Sequence, residues 1–115
     1  MPPIFDPFLL NDHFDRHGQQ FGATIEAQYE ALAAAFITKY LPDRPVKCRA
    51  CPTCACIAYG AIHECEIQGN RIRFDTLTQE FCILGSNGFL RTYYCPDPEI
   101  TGVSNIKYFH RRCLP

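Results

Sequence analysis

Pro42 divides the chain into two hydrophobic rhythms, and no other feature narrows the possible fold as much. Before it, Ile25, Tyr29, Leu32, Ala33, Phe36 and Tyr40 recur at helical spacing. Thr24 stands where an N-cap is wanted, and Pro42 stops the helix at Leu41, because the residue before a proline is pushed out of the helical region. Upstream, Asn11 or Asp12 can cap a shorter helix, and Gly18 suits the left-handed position that often follows one. Beyond Pro42 the period shortens to two. Residues 58–67, 71–75, 80–84, 89–95 and 105–110 alternate or run apolar, and Gln68-Gly69-Asn70 and Gly85-Ser86-Asn87-Gly88 supply turns between them.

Helices followed by a run of strands predict an α+β domain. The expected architecture is N-terminal helices packed on a four- or five-stranded antiparallel sheet, with a cysteine-rich insertion at about residues 46–57. At 115 residues there is room for one domain, spanning 1–115. The long helix is expected to bury Ile25, Tyr29, Leu32 and Phe36 against Ile72, Phe74, Phe81 or Ile83, leaving the other sheet face open.

Charge narrows the function classes. The net charge of −1 is not that of a general polyanion binder. Residues 1–43 carry two basic against six acidic side chains, and the remainder nine against six, so an anionic ligand is expected on the C-terminal part. No stretch approaches the ~20 apolar residues of a membrane span, and the Met1-Pro2-Pro3 start lacks a basic flank with a long apolar run. No membrane partner is therefore expected, and the chain is expected to begin in the cytoplasm.

Eight cysteines fall at positions 48, 51, 54, 56, 65, 82, 95 and 113. Cys48, Cys51, Cys54 and Cys56 sit within nine residues, a density that suits structural zinc, with Cys65 as a remote ligand. Two separated CxxC knuckles are missing, and without an export signal free thiols are the expected state, with disulfides formed after export as an alternative. Cys51-Pro52-Thr53-Cys54 is also a redox spacing, but it lacks the flanking strand and helix of such enzymes.

Two further constellations can carry chemistry. His13 and His17, four apart on a helix, share a face; they can divide general acid and base duties, bind a metal, or decorate a surface. In the strand around Phe89–Tyr94, alternation puts Arg91 with Tyr93 and opposes them to Thr92 and Tyr94. Arg beside hydroxyls suits a phosphate, although aromatics and Thr are also ordinary strand material. Ile72 and Phe74 face one way and Arg71 and Arg73 the other, a pair that can hold RNA phosphates or keep an exposed face soluble.

Taken in order, His13-Phe14-x-x-His17-Gly18-x-x-Phe21-Gly22, then Tyr29, Ala33 and Phe36, then Arg73-Phe74-Asp75, Glu80-Phe81, and Gly88-x-x-Arg91-Thr92-Tyr93-Tyr94 with Pro96 follow a known pattern. It resembles the small C-terminal ribonuclease domains of bacterial polymorphic and contact-dependent toxins, within the barnase/EndoU/colicin/RelE-like superfamily. The resemblance covers about residues 13–40 and 69–96. It departs at Cys82, where a small residue is common, and at Cys48 to Cys65, which replaces a plain connection. The resemblance implies an endoribonuclease that cuts RNA, commonly tRNA, without a metal cofactor, and that enters the cytoplasm of a target bacterium. It also implies an immunity protein that blocks the site in the producing cell. The catalytic residues it implies are His17, Thr92 and Arg91, then His13 and Tyr93. The competing expectation is a zinc-stabilised cysteine-rich binding module without catalytic activity.

Overall fold

The computed structural model describes residues 2–42, 44–47 and 56–114. The first helix, α1, spans Leu10–His17. Gly18 does not end it in the left-handed region, as the sequence suggested; its φ is −56° and the chain runs on as a 3-10 turn over Gly18–Phe21. The left-handed residue is Gly22, with φ 70°. Gly18 is small for a different reason: a Cβ there would lie 2.7 Å from the Phe14 ring.

The second helix, α2, spans Glu26–Thr38, ending three residues short of the expected Leu41. Its N-cap position is taken by Ile25, while Thr24 binds the Gln28 side chain through its amide and hydroxyl, at 2.8 and 2.9 Å. The early stop has a partner on the sheet. Arg73 donates to the carbonyls of Phe36 and Lys39, and Arg71 to that of Ile37, satisfying acceptors a helix end leaves open.

Six antiparallel strands follow in the order β1-β2-β3-β4-β5-β6: Val46–Lys47, Ile57–Tyr59, Ile62–Ile67, Asn70–Asp75, Phe81–Leu84 and Leu90–Tyr94. The count exceeds the expected four or five because residues 58–67 are not one strand. Gly60, at φ 63°, reverses the chain between β2 and β3, and β1 adds a short edge. The last expected strand is a helix. After a short α3, Pro98–Thr101, α4 spans Asn105–Arg112, capped by Ser104 Oγ accepting from the Lys107 amide.

Both sheet faces are therefore packed upon. On one, Tyr29, Ala33, Phe36 and Ile37 of α2 meet Cys82, Leu90 and Tyr93, with Phe5 from the N-terminal segment. On the other, Ile72, Phe74, Phe81 and Ile83 surround Phe109 of α4. This corrects the expected packing: Tyr29 and Phe36 are buried, Ile25 and Leu32 are 56% and 40% exposed, and the four sheet residues assigned to α2 belong to α4. Two alanines, Ala33 and Ala34, lie in the buried stripe and turn α2 slightly from the face that the larger side chains mark. Phe109 is fully buried, its ring 5.9 Å from that of Phe74, a site where truncation to alanine costs about 3–5 kcal/mol.

A disulfide ties the two layers together. Cys65 of β3 is bonded to Cys113, the residue after α4, with Cα atoms 6.1 Å apart. The expectation of free thiols fails here, and Cys65 is removed as a remote zinc ligand. Cys48, Cys51 and Cys54 lie outside the described residues. Cys56 is buried beside the disulfide, its Sγ 3.4 Å from His110 Nδ1.

Candidate active site

Between α1, β6 and α4 the sheet carries a groove of about 550 Å³. Ile72, Phe81 and Ile83 form its apolar floor. His13 enters from α1, Arg91, Thr92 and Tyr94 from β6, and Tyr108 and Arg112 from α4. Among the described residues that line it there is no carboxylate, so in a chain of net charge −1 this surface is locally cationic.

A β-bulge makes the groove what it is. Leu84 pairs with Leu90 and Ile83 with Thr92, so Arg91 has no opposite residue. An extra residue in one strand of an antiparallel pair re-aims the side chains around it. Leu90 and Tyr93, three apart, consequently share the α2 face, while Arg91 and Thr92, adjacent in sequence, both line the groove. Regular alternation had placed Arg91 and Thr92 on opposite faces. The bulge is held from outside, since the Leu90 amide donates to Ile4 and its carbonyl accepts from Asp6.

The histidines are near each other, with ring centroids 6.1 Å apart. His13 Nδ1 lies 3.0 Å from the Leu9 carbonyl. That bond requires the proton on Nδ1, which makes Nε2 the acceptor of a neutral ring. His17 stacks on Tyr94 at 4.8 Å, one ring behind the groove, and its Nδ1 is buried without a hydrogen-bond partner. Burial, followed by the nearby Arg16 and His13 charges, lowers the His17 pKa below the ordinary 6.5. Tyr94 and Tyr108 join their hydroxyls at 2.5 Å across the groove, and burial raises the Tyr94 pKa, with the hydrogen bond adding to it.

Four of the residues singled out from sequence do not line the groove: His17, placed first among the implied catalytic residues, sits behind Tyr94, and the other three belong to the α2 side of the sheet. Tyr93 is buried under α2, stacked on Phe21 at 4.1 Å, and its hydroxyl donates to Glu80. Arg73 is 4% exposed and spends its guanidinium on two helix carbonyls and Glu64. Arg71 shares Glu64 and caps Ile37. Alternation correctly put both arginines on one face, but that face is beneath α2 and away from His13. The residues the sequence reading missed are Tyr108 and Arg112. Their spacing of four is a helical signal, obscured because residues 105–110 also alternate.

Among the described residues no cluster of three or more His, Cys, Asp or Glu side chains is arranged to hold a metal. No helix among them is long and apolar enough to cross a membrane. No protein-family model matches the chain, and no curated protein matches it in sequence.

Proposed function

We propose that the protein is an endoribonuclease of the bacterial toxin type, cutting RNA, with tRNA as the first substrate to test, by transesterification that uses no metal. The observation that carries the reading is the bulge, which sets Arg91 and Thr92 with His13 in a groove that has no carboxylate among its described lining residues. Such a surface suits a phosphodiester, an anion flanked by hydroxyl and base groups.

His13 Nε2 takes the proton from a ribose 2′-hydroxyl, and the oxygen attacks the adjacent phosphorus. The bond to the 5′-oxygen breaks, leaving a 2′,3′-cyclic phosphate. His17, one helical turn away and stacked behind Tyr94, is the second acid: its ring must reach past Tyr94 into the groove to return a proton to the departing oxygen. Arg91 stabilises the charge that builds on the phosphoryl oxygens, a contribution of ~2.7–4 kcal/mol for a well-placed donor. Thr92 orients the phosphate through its hydroxyl. Tyr93, Arg71 and Arg73 support the fold of the site and do not touch substrate. The matching partner is an acidic immunity protein that covers the groove, since complementary charge is the direct way to block a cationic site.

The test is incubation of the purified protein with bulk tRNA in excess chelator, followed by end-group analysis. Cyclic phosphate ends are expected, with His13→Ala and His17→Ala folded but each slower by at least ~10²-fold. Cleavage that needs an added divalent ion, or unchanged rates in both variants, would falsify the proposal.

A further inference from the structure

Arg112 lines the same groove as Arg91, on an element that the toxin resemblance does not reach. Its setting differs from that of the chain's other well-placed arginines. Arg16 is paired with Asp12, and Arg71 and Arg73 with Glu64, whereas among the described residues neither Arg91 nor Arg112 has a carboxylate partner. Tyr108 lies one turn before Arg112, so both side chains project from the same face of α4. The Tyr108 hydroxyl bonds that of Tyr94 and fixes this face to β6, while the Cys65–Cys113 bond fixes the residue after Arg112 to β3. The end of α4 is thus anchored on both sides, and a long basic side chain lines the groove with no ion-pair partner among the described residues.

We infer that Arg112 is a second phosphate-binding residue, so that the groove takes a single-stranded stretch of polynucleotide spanning Arg91 and Arg112 and not an isolated nucleotide. The inference rests on the reading of the groove as an RNA site and extends it. At about 550 Å³ the groove falls within the ~300–1,000 Å³ range of sites that enclose whole small ligands, more than one phosphate requires. Arg91 holds the phosphate that reacts. Arg112 holds a neighbouring one along the strand, contributing to binding before and during the reaction alike.

The experiment measures tRNA affinity against salt in the His13→Ala/His17→Ala protein, with and without Arg112→Ala. Arg111→Ala, an exposed neighbour outside the groove lining, is the control. Arg112→Ala is expected to weaken binding about tenfold, the low end for a charge-assisted hydrogen bond. It should also reduce the slope of log affinity against log salt by about 0.7, the value for one phosphate contact on a single strand. In the cleaving protein the same change should raise KM and leave kcat nearly constant, the signature of uniform binding. Equal effects of Arg111→Ala and Arg112→Ala, or no effect of the latter, overturn the inference. If the native chain cleaves RNA and Arg112 is silent, only this inference falls; if Arg112 contributes to binding but no RNA is cut, only the catalytic reading falls. A starting protein that binds no tRNA removes both.

Discussion

Arg91 lies across Gly85: a Cβ on Gly85 would stand 3.0 Å from Arg91 Cδ and 3.2 Å from its Cγ. The glycine gives the arginine stem room to leave the bulge and reach the groove. The turn that follows is closed by the Gly85 amide donating to Phe89 and the Gly88 amide to Gly85.

Replacing Gly85 by alanine therefore displaces Arg91 without removing it. The Asn87 side chain, 2.9 Å from the added carbon, must also shift. Both neighbours are flexible, so the expected loss of stability is about 1 kcal/mol, typical of a single substitution. RNA cleavage should fall about tenfold or more, since a donor moved from its place loses much of its effect. Thermal melts and single-turnover rates check this together; a large loss of stability with normal cleavage by the folded fraction contradicts it.

Activity and stability should move in opposite directions with pH. The pKa values of His17, His63 and His110 are all lowered by burial, and that of His110 further by the His63 charge. The unfolded chain then binds more protons than the folded one, so stability is complete above the unfolded value of about 6.5 and is lost as pH falls through that value towards the lowered folded ones. Melting temperature should accordingly drop between pH 7.5 and pH 5. If His17 acts as the acid, kcat/KM should instead decline as pH rises through its lowered value, a limb that starts below 6.5, because its protonated fraction shrinks. That descending limb should vanish in His17→Ala; a profile that still declines there assigns the acid to another group.

Arg73→Ala is expected to be a folding lesion. It strips the Phe36 and Lys39 carbonyls of their donor and leaves Glu64, whose side chain is 18% exposed, with Arg71 alone. Removing one member of a buried ion pair costs about 3–5 kcal/mol. Urea denaturation measures it, and the remaining folded protein should bind RNA with unchanged salt dependence. A variant of native stability with weakened RNA binding would place Arg73 in the site after all.

Reduction of the Cys65–Cys113 bond should loosen the groove by way of α4. The bond closes a separation of 48 residues, and loop-closure reasoning gives such a link up to about 4 kcal/mol. Cys113→Ser should lower the melting temperature, and its rate defect should appear in KM if α4 serves binding. A Cys113→Ser protein with native melting temperature would mean that the packing of Phe109 alone holds the helix.

Much of the frame was legible from sequence. The helical stripe before Pro42 and the glycine turns at 68–70 and 85–88 mark elements that exist, because period and turn chemistry are local properties. α4 was not legible in the same way: Ile106, Tyr108 and His110 alternate as a strand would, and the helix is decided by Ser104 capping it and by Phe109 finding Phe74. The fate of Arg73 was hidden because its acceptors are carbonyls of a helix more than thirty residues away. For the site, His13, Arg91 and Thr92 were named from sequence and do share a groove. Tyr93 was displaced from it by the same bulge that united the others, and alternation cannot announce where it will be interrupted.

The bulge acts on β6 as a one-letter insertion acts on a reading frame. Up to Leu90 the strand is read in one phase, and from Thr92 onward in the other. A substitution at Arg91 would change one side chain, and its deletion would close the bulge, making Leu90 and Thr92 successive partners of Leu84 and Ile83 and keeping Thr92 at the groove and Tyr93 in the core. The cation at the groove is therefore carried as an insert in the strand: position 91 can vary or be lost while the interior keeps its phase, and what disappears with it is the groove's charge.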